Sequence, residues 1–215
     1  MKKRSALILA IVLVLSLILG GCGKGSSSVK QPEDAANSTA QNAAGSAEHS
    51  FVLFTMENGE AFKIELYPEY APKTVENFRK LVSEGFYDGL TFHRIVDDFM
   101  AQGGDPALSG RKEADSIYGE FANNGFAQNT LHHDRGVISM ARTTVPDSAS
   151  SQFFICYSDT YSASLDGSYA AFGKVIEGME TVDGFLTVER SYNSMGELAT
   201  PVTPIVIAHA EIVEG

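Results

Sequence analysis

The chain has no tryptophan, two cysteines, seven prolines and far fewer basic than acidic residues. Each shortage closes off a class of protein. Cys22 and Cys156 stand far apart in unlike surroundings, so no disulfide framework staples the fold. Sixteen Lys and Arg against 27 Asp and Glu leave a formal net charge of −11. An acidic surface repels a phosphate backbone, which argues against a nucleic-acid partner. No internal repeat is visible, and no cluster of His and Cys has metal-ligand spacing. His132, His133 and Asp134 adjoin, yet adjacent side chains on extended backbone point apart, so they read as surface polar residues. No metal or cofactor is expected. What remains is ordinary for a globular protein: 215 residues, 44% hydrophobic and 20% charged, enough for one domain with a sizeable core plus tails. Thirteen Phe and twenty Gly point to a turn-rich fold with an aromatic interior. Cys156 follows Phe153-Phe154-Ile155 and reads as a small buried hydrophobe rather than a reactive thiol.

The first fifty residues read as an address and a tether. Lys2, Lys3 and Arg4 precede an almost wholly apolar run, Leu7 to Leu19. That run is short for a membrane span but suits the core of a secretory signal. It ends in Leu19-Gly20-Gly21-Cys22, which resembles a bacterial lipobox. The resemblance implies removal of residues 1–21 and lipidation of Cys22, anchoring the protein to the outer face of the cytoplasmic membrane. Residues 22–50 are rich in Gly, Ser, Ala, Asn and Gln, without an aromatic residue. Such a stretch buries too little apolar surface to offset its ordering entropy, and it is expected to be a flexible tether.

Folded structure is expected over 51–215. Phe51 to Met56, an Asn58-Gly59 turn and the alternating Phe62-Lys63-Ile64-Glu65-Leu66 predict a β-hairpin. Pro72 opens a helical pattern over 74–84, with Val75, Phe78, Leu81 and Val82 on one face and Gly85 as its stop. Short strands follow at 90–96, 99–102, 136–141, 151–156 and 170–175, then a second helix near 179–186 and a closing strand at 205–213. Many short strands with two helices predict a mainly β protein, a closed eight-stranded antiparallel barrel capped by two α-helices.

Several blocks then become specific. Phe92-His93-Arg94-Ile95-Val96-Asp97-Asp98-Phe99-Met100-Ala101-Gln102-Gly103-Gly104-Asp105 resembles the signature segment of the cyclophilins. Ser116 to Glu120, Ser139-Met140-Ala141, Ser151 to Ile155, Leu165-Asp166-Gly167 and Ala171-Phe172-Gly173 are similar to further blocks of that family, in the same order.

The resemblance implies a peptidyl-prolyl cis–trans isomerase with the closed barrel of that family. It assigns Arg94 as the donor to the twisted amide and Gln102 as its catalytic companion. Phe99, Met100, Phe154 and Leu165 map onto the proline pocket, with Tyr169 at the rim. Gln152 maps onto a substrate grip, and the backbone of Ala141 and Arg142 onto the groove for an extended peptide. Strand alternation would place Phe92 and Arg94 on one face and His93, as a structural hydrogen-bonding residue, on the other. The partners implied are proline-containing peptides and unfolded secreted proteins, bound by a monomer. Two departures stand out: Arg142 replaces a common Asn, and Ser164 stands where a rim Trp often precedes Leu165. The missing Trp implies weakened cyclosporin binding, and it sustains an alternative reading as a non-catalytic proline-peptide module.

Overall fold

The computed structural model describes residues 48–215. The expected signal segment 1–21, Cys22 and most of the tether lie outside the described residues.

Alternating apolar residues build the opening hairpin. In β1 (Ser50–Met56) and β2 (Ala61–Leu66), Val52, Phe54, Met56, Phe62, Ile64 and Leu66 turn inward and are buried. Gly59 adopts φ +87° at the turn, a left-handed conformation that a Cβ disfavours. The strand begins one residue before its predicted start, and His49 beside it is held by Glu65 at 2.8 Å and Glu69 at 3.1 Å. These last residues of the expected tether therefore belong to the domain.

Six further strands complete a barrel: β3 (Thr91–Val96), β4 (Met100–Gly103), β5 (Val137–Met140), β6 (Phe153–Cys156), β7 (Ala171–Glu177) and, after two short strands described below, β10 (Ile205–Val213). They close in the order β1-β10-β3-β4-β6-β5-β7-β2, every pairing antiparallel. Inside lies an aromatic core in which Phe54 and Phe62 stack at 5.0 Å and Phe78 meets Phe172 at 4.9 Å. The two predicted helices are present as α1 (Pro72–Ser83) and α3 (Met179–Gly184), which runs on into a 3-10 turn at Phe185–Thr187. Between them sits the four-residue α2 (Ser162–Leu165), too short for a periodic signal to reveal.

α1 buries Val75, Phe78, Leu81 and Val82, the predicted face. Its N-terminus is capped from a distance. The residue at the cap is Ala71, which has no side-chain acceptor, and Pro72 has no N–H to satisfy. The orphan donors are thus Lys73 and Thr74, and both amides donate to the buried Glu120 carboxylate, at 3.0 and 2.7 Å; the Thr74 hydroxyl adds a third bond at 2.8 Å. A negative charge here also suits the positive end of the helix dipole.

A second buried polar knot fixes the barrel face that carries the site. His133 is 1% exposed, contrary to its expected place on the surface. Its Nδ1 pairs with Asp166 Oδ1 at 2.8 Å and its Nε2 with Ser139 Oγ at 2.9 Å, while its backbone N–H donates to Asp166 at 2.9 Å. Burial lowers the His133 pKa despite the carboxylate, so the ring is neutral: Nδ1–H donates to Asp166 and Nε2 accepts from Ser139. Burial alone would raise Asp166, but hydrogen bonds from His132 and from the ring and amide of His133 hold it below its ordinary range. Adjacency misled the surface reading, because the chain turns here and both imidazoles converge on one carboxylate, His132 at 2.7 Å. A Ser-His-Asp order invites comparison with a hydrolase, but Ser139 is 0% exposed, so no substrate reaches its hydroxyl.

Two stability changes follow. Glu120→Ala strips two helix amides of their acceptor in a buried setting; a loss of about 3 kcal/mol, roughly 6–12 °C in Tm, is expected by thermal unfolding, and a loss below ~1 kcal/mol would contradict the capping role. For the knot, stability falls as pH drops below the His133 reference of 6.5, because the unfolded imidazole takes up a proton that the folded one refuses. Falling pH then also protonates Asp166 once it passes that group's lowered folded pKa. In denaturant titrations, Asp166→Asn is expected to cost about 1–3 kcal/mol at neutral pH and to remove the part of the acid loss below the Asp166 reference of 3.8. It should also steepen the His133 part, because Asp166 holds that imidazole pKa up against burial; a flatter slope between pH 6.5 and about 4 would contradict it.

Candidate active site

Alternation in β6 separates two apolar regions. Phe153 points into the barrel core, and Phe154 points out into a small second cluster with Met100, Cys156 and Leu165, flanked by Val96, Phe99, Ala141 and Tyr169. Cys156 is buried here as expected, and burial pushes its thiol pKa up to about 12, so it stays protonated and inert. On β4 the same rule turns Ala101 inward and Met100 and Gln102 outward, facing Cys156 and Phe154 of β6. The Gly104 that follows has φ +82°, and a Cβ there would stand 2.8 Å from the Ser151 carbonyl oxygen, so the strand end tolerates only glycine.

Arg94 reaches this outer face through an irregularity. Phe92 pairs with Gly103, but Arg94 pairs with Gln102, so two residues of β3 oppose one step of β4. His93 is the extra residue of a β-bulge. Phe92 and Ile95 both remain buried in the core, and Arg94 turns outward beside Gln102. Simple alternation placed Phe92 and Arg94 on one face, and the bulge overturns it. His93 faces a separate recess with Leu108 and Pro201: its Nδ1 is buried without a hydrogen-bond partner among the described residues, and burial lowers its pKa. It therefore takes no part in the site as a base.

The structure brings the other predicted residues together. Arg94, Phe99, Met100, Gln102, Ala141, Arg142, Phe154, Leu165 and Tyr169 line one concavity of about 120 Å³. Pockets for drug-sized ligands run to ~300–1,000 Å³, so this cup suits a single ring-sized group. The floor is apolar. Phe154 lies parallel to the His133 ring at 6.0 Å and edge-on to Tyr169 at 5.8 Å, and Leu165 is tied to the floor through neighbouring Asp166. Gln152 stands outside the cup, in a contiguous groove with Ser148 and Ser150, and is joined to it through Gln102.

Electrostatically the lip is cationic and ordered. Arg94 Nη1 donates to Gln102 Oε1 at 3.3 Å, and Gln102 Nε2 donates to Gln152 Oε1 at 2.9 Å, a chain running along the groove. The guanidinium lies 5.7 Å from the Phe99 ring centroid. Arg142 folds back. Its Nε and Nη2 donate to the Ser168 carbonyl at 2.9 and 2.7 Å, and its guanidinium sits between Phe121 and Tyr169, at 4.8 and 4.6 Å. It thereby braces Tyr169 at the rim. A larger concavity of about 550 Å³ lies near Met56, Phe185 and Pro204, but its only charged side chains are Glu57 and Glu60, so it has no cationic donor.

Two neighbours of the site escaped the sequence reading. Tyr161, one turn before the position of the absent Trp, packs on Phe99 at 4.6 Å; nothing in a lone exposed Tyr announces that. The other is Glu197, whose carboxylate accepts from Arg94 Nε at 2.8 Å and Nη2 at 2.7 Å, and whose pKa those bonds lower. It sits on a hairpin of β8 (Arg190–Tyr192) and β9 (Leu198–Pro201), a separate two-stranded sheet. Asn193 and Gly196 between Tyr192 and Leu198 were the available turn signal.

Known proteins share this fold. The sequence profile of the family described as "Cyclophilin type peptidyl-prolyl cis-trans isomerase/CLD" matches residues 51–212. The peptidyl-prolyl cis-trans isomerase ppi1 of Schizosaccharomyces pombe is 46% identical over 116 residues, 54% of this chain and 72% of that protein. A peptidyl-prolyl cis-trans isomerase of Acinetobacter baylyi is 41% identical over 155 residues, 70% of this chain and 79% of its own. Among solved structures, a Cryptosporidium parvum cyclophilin type peptidyl-prolyl cis-trans isomerase, crystallised in the presence of the dipeptide Ala-Pro, superposes with a TM-score of 0.63 at 30% identity, covering 77% of this chain and 99% of that one. With the closed barrel and the profile spanning nearly the whole described domain, the chain belongs to the cyclophilin-type peptidyl-prolyl cis–trans isomerases.

Proposed function

We propose that this isomerase turns X–Pro bonds with Arg94 as the donor and the Phe99–Met100–Phe154–Leu165 cup as the proline pocket. The observation that carries the reading is an ordered guanidinium at the lip of a ring-sized apolar cup. The chemistry it must accomplish is modest. Resonance in the amide C–N bond sets a barrier of about 18–20 kcal/mol, and twisting the bond localises a lone pair on the proline nitrogen. A charged N–H aimed at that nitrogen is stronger in the twisted state than in either planar isomer, and so lowers the barrier. The cup holds the pyrrolidine ring by apolar burial, while Gln102, Gln152 and the backbone of Ala141 and Arg142 hold the flanking chain. No bond breaks and no proton moves.

The clients we infer are unfolded exported proteins, met by a monomer lipid-anchored through Cys22 on the extracytoplasmic face of the membrane. Support comes from the positively charged start, the apolar run and the Leu19-Gly20-Gly21-Cys22 motif. Uncatalysed prolyl isomerisation takes tens of seconds, a delay that matters to chains folding after export. Cyclosporin affinity is expected to be weakened, since Ser164 replaces the rim Trp and Tyr161 offers a hydroxyl in a different place.

Residues 48–215 are expected to accelerate cis–trans exchange of an Ala-Pro peptide, measured by NMR exchange spectroscopy. Arg94→Ala should lower kcat/KM by about tenfold or more. Unchanged turnover in that variant would remove Arg94 from the mechanism.

A further inference from the structure

A guanidinium on a long flexible stem has considerable rotamer entropy to lose before it can act as a fixed donor. Something must hold it. Gln102 of the barrel takes one N–H, and the rest of the hold comes from outside the barrel.

Among the described residues, the β8–β9 hairpin forms no ladder with the barrel sheet. A lone two-stranded hairpin is marginal in water, so side chains must dock it. Three do. Ala199 is fully buried. Arg190 of the hairpin donates to Asp97 at 2.8 Å and to the Ile95 carbonyl at 3.2 Å. Glu197 completes a crossed arrangement, hairpin carboxylate to barrel Arg94, against hairpin Arg190 to barrel Asp97. Glu197 is itself fixed: Asn193 Nδ2 donates to its Oε2 at 2.8 Å, and the Glu197 amide donates to Asn193 Oδ1 at 2.9 Å.

The edge of Arg94 that Glu197 takes is informative. Nε–H and one Nη2–H go to the carboxylate, and one Nη1–H goes to Gln102. A guanidinium has five N–H groups, so one remains on each terminal nitrogen. Nη1 also stands 4.0 Å from Met100 Sδ, at the lip of the cup. The bidentate pair therefore occupies the edge away from the reacting amide and fixes the plane in which the remaining donors lie.

We infer that Glu197, carried on the β8–β9 hairpin and steadied by Asn193, is a positioning residue that aims the Arg94 guanidinium into the proline cup. Its contribution is geometric, and it rests on Arg94 being the donor. A misplaced donor loses the transition-state interaction while leaving apolar capture of the ring intact, so the loss falls on kcat rather than KM.

The experiment compares residues 48–215 as wild type, E197A, E197Q, D97A and R94A, with kcat and KM for an Ala-Pro peptide from NMR exchange and the Arg94 Nε–H resonance recorded for each. E197A should lose about tenfold in kcat with KM within about twofold, and its Nε–H signal should broaden through exchange with water. E197Q keeps one acceptor oxygen in the same shape but turns an NH2 toward an N–H donor, so it should recover only part of that loss. D97A releases the hairpin's other anchor without touching Arg94; it should lower Tm but leave kcat within about twofold of wild type. Wild-type or faster turnover in E197A, with R94A impaired, would overturn the positioning role alone. An equal kcat loss in D97A and E197A would assign the effect to hairpin docking and also overturn it. Full activity in R94A would instead refute the donor assignment beneath it.

Discussion

A single extra residue in β3 decides on which face of the barrel Arg94, the proposed donor, stands. Without the bulge at His93, alternation that buries Phe92 would send the Arg94 side chain into the barrel, where an unpaired guanidinium faces a severe desolvation cost. With it, Phe92 and Ile95 both keep their places in the core and Arg94 emerges on the outer face, opposite Gln102. Bulges commonly re-aim a side chain beside a functional site, and this one also leaves His93 with a buried ring nitrogen that no described residue satisfies.

The cup depends on a second separation. β4 and β6 each present one face to the aromatic core and one to the outer cluster, so the same short strands build the scaffold and the pocket. The floor is stiffened from below: Phe154 rests on the His133 ring, itself locked between Asp166 and Ser139. Asp166 directly follows Leu165, so one carboxylate fixes both floor and wall. At the lip, hydrogen bonds from Arg94 through Gln102 to Gln152 orient the proposed donor, and the hairpin carboxylate supplies a second constraint. A preorganised donor needs little rearrangement when the amide twists, which is where electrostatic catalysis gains its strength.

Much of this was legible in the sequence, for identifiable reasons. The strands carry period-2 burial and the long helix carries a 3.6-period face, and both patterns are local. The cup residues were legible because Phe99, Met100, Phe154 and Leu165 fall in motifs whose order survives as a whole. Other features are set by contacts far along the chain. Glu120 caps a helix 46 residues away, His133 meets Asp166 33 residues away, and Glu197 meets Arg94 at a separation of 103. No local pattern encodes such pairings. The bulge was invisible for a different reason: alternation assumes an unbroken pleat, and a one-residue insertion is apparent only against the partner strand.

The claim beneath all of this is that the proline ring enters the cup below Arg94. Intermolecular NOEs between an Ala-Pro peptide and residues 48–215 test it directly. The account predicts contacts from the proline ring protons to the Met100 methyl, the Leu165 methyls and the Phe154 ring, with the Arg94 guanidinium resonances shifting in the same titration. Contacts made instead to Met56, Phe185 and Pro204, in the larger acidic concavity, would contradict it.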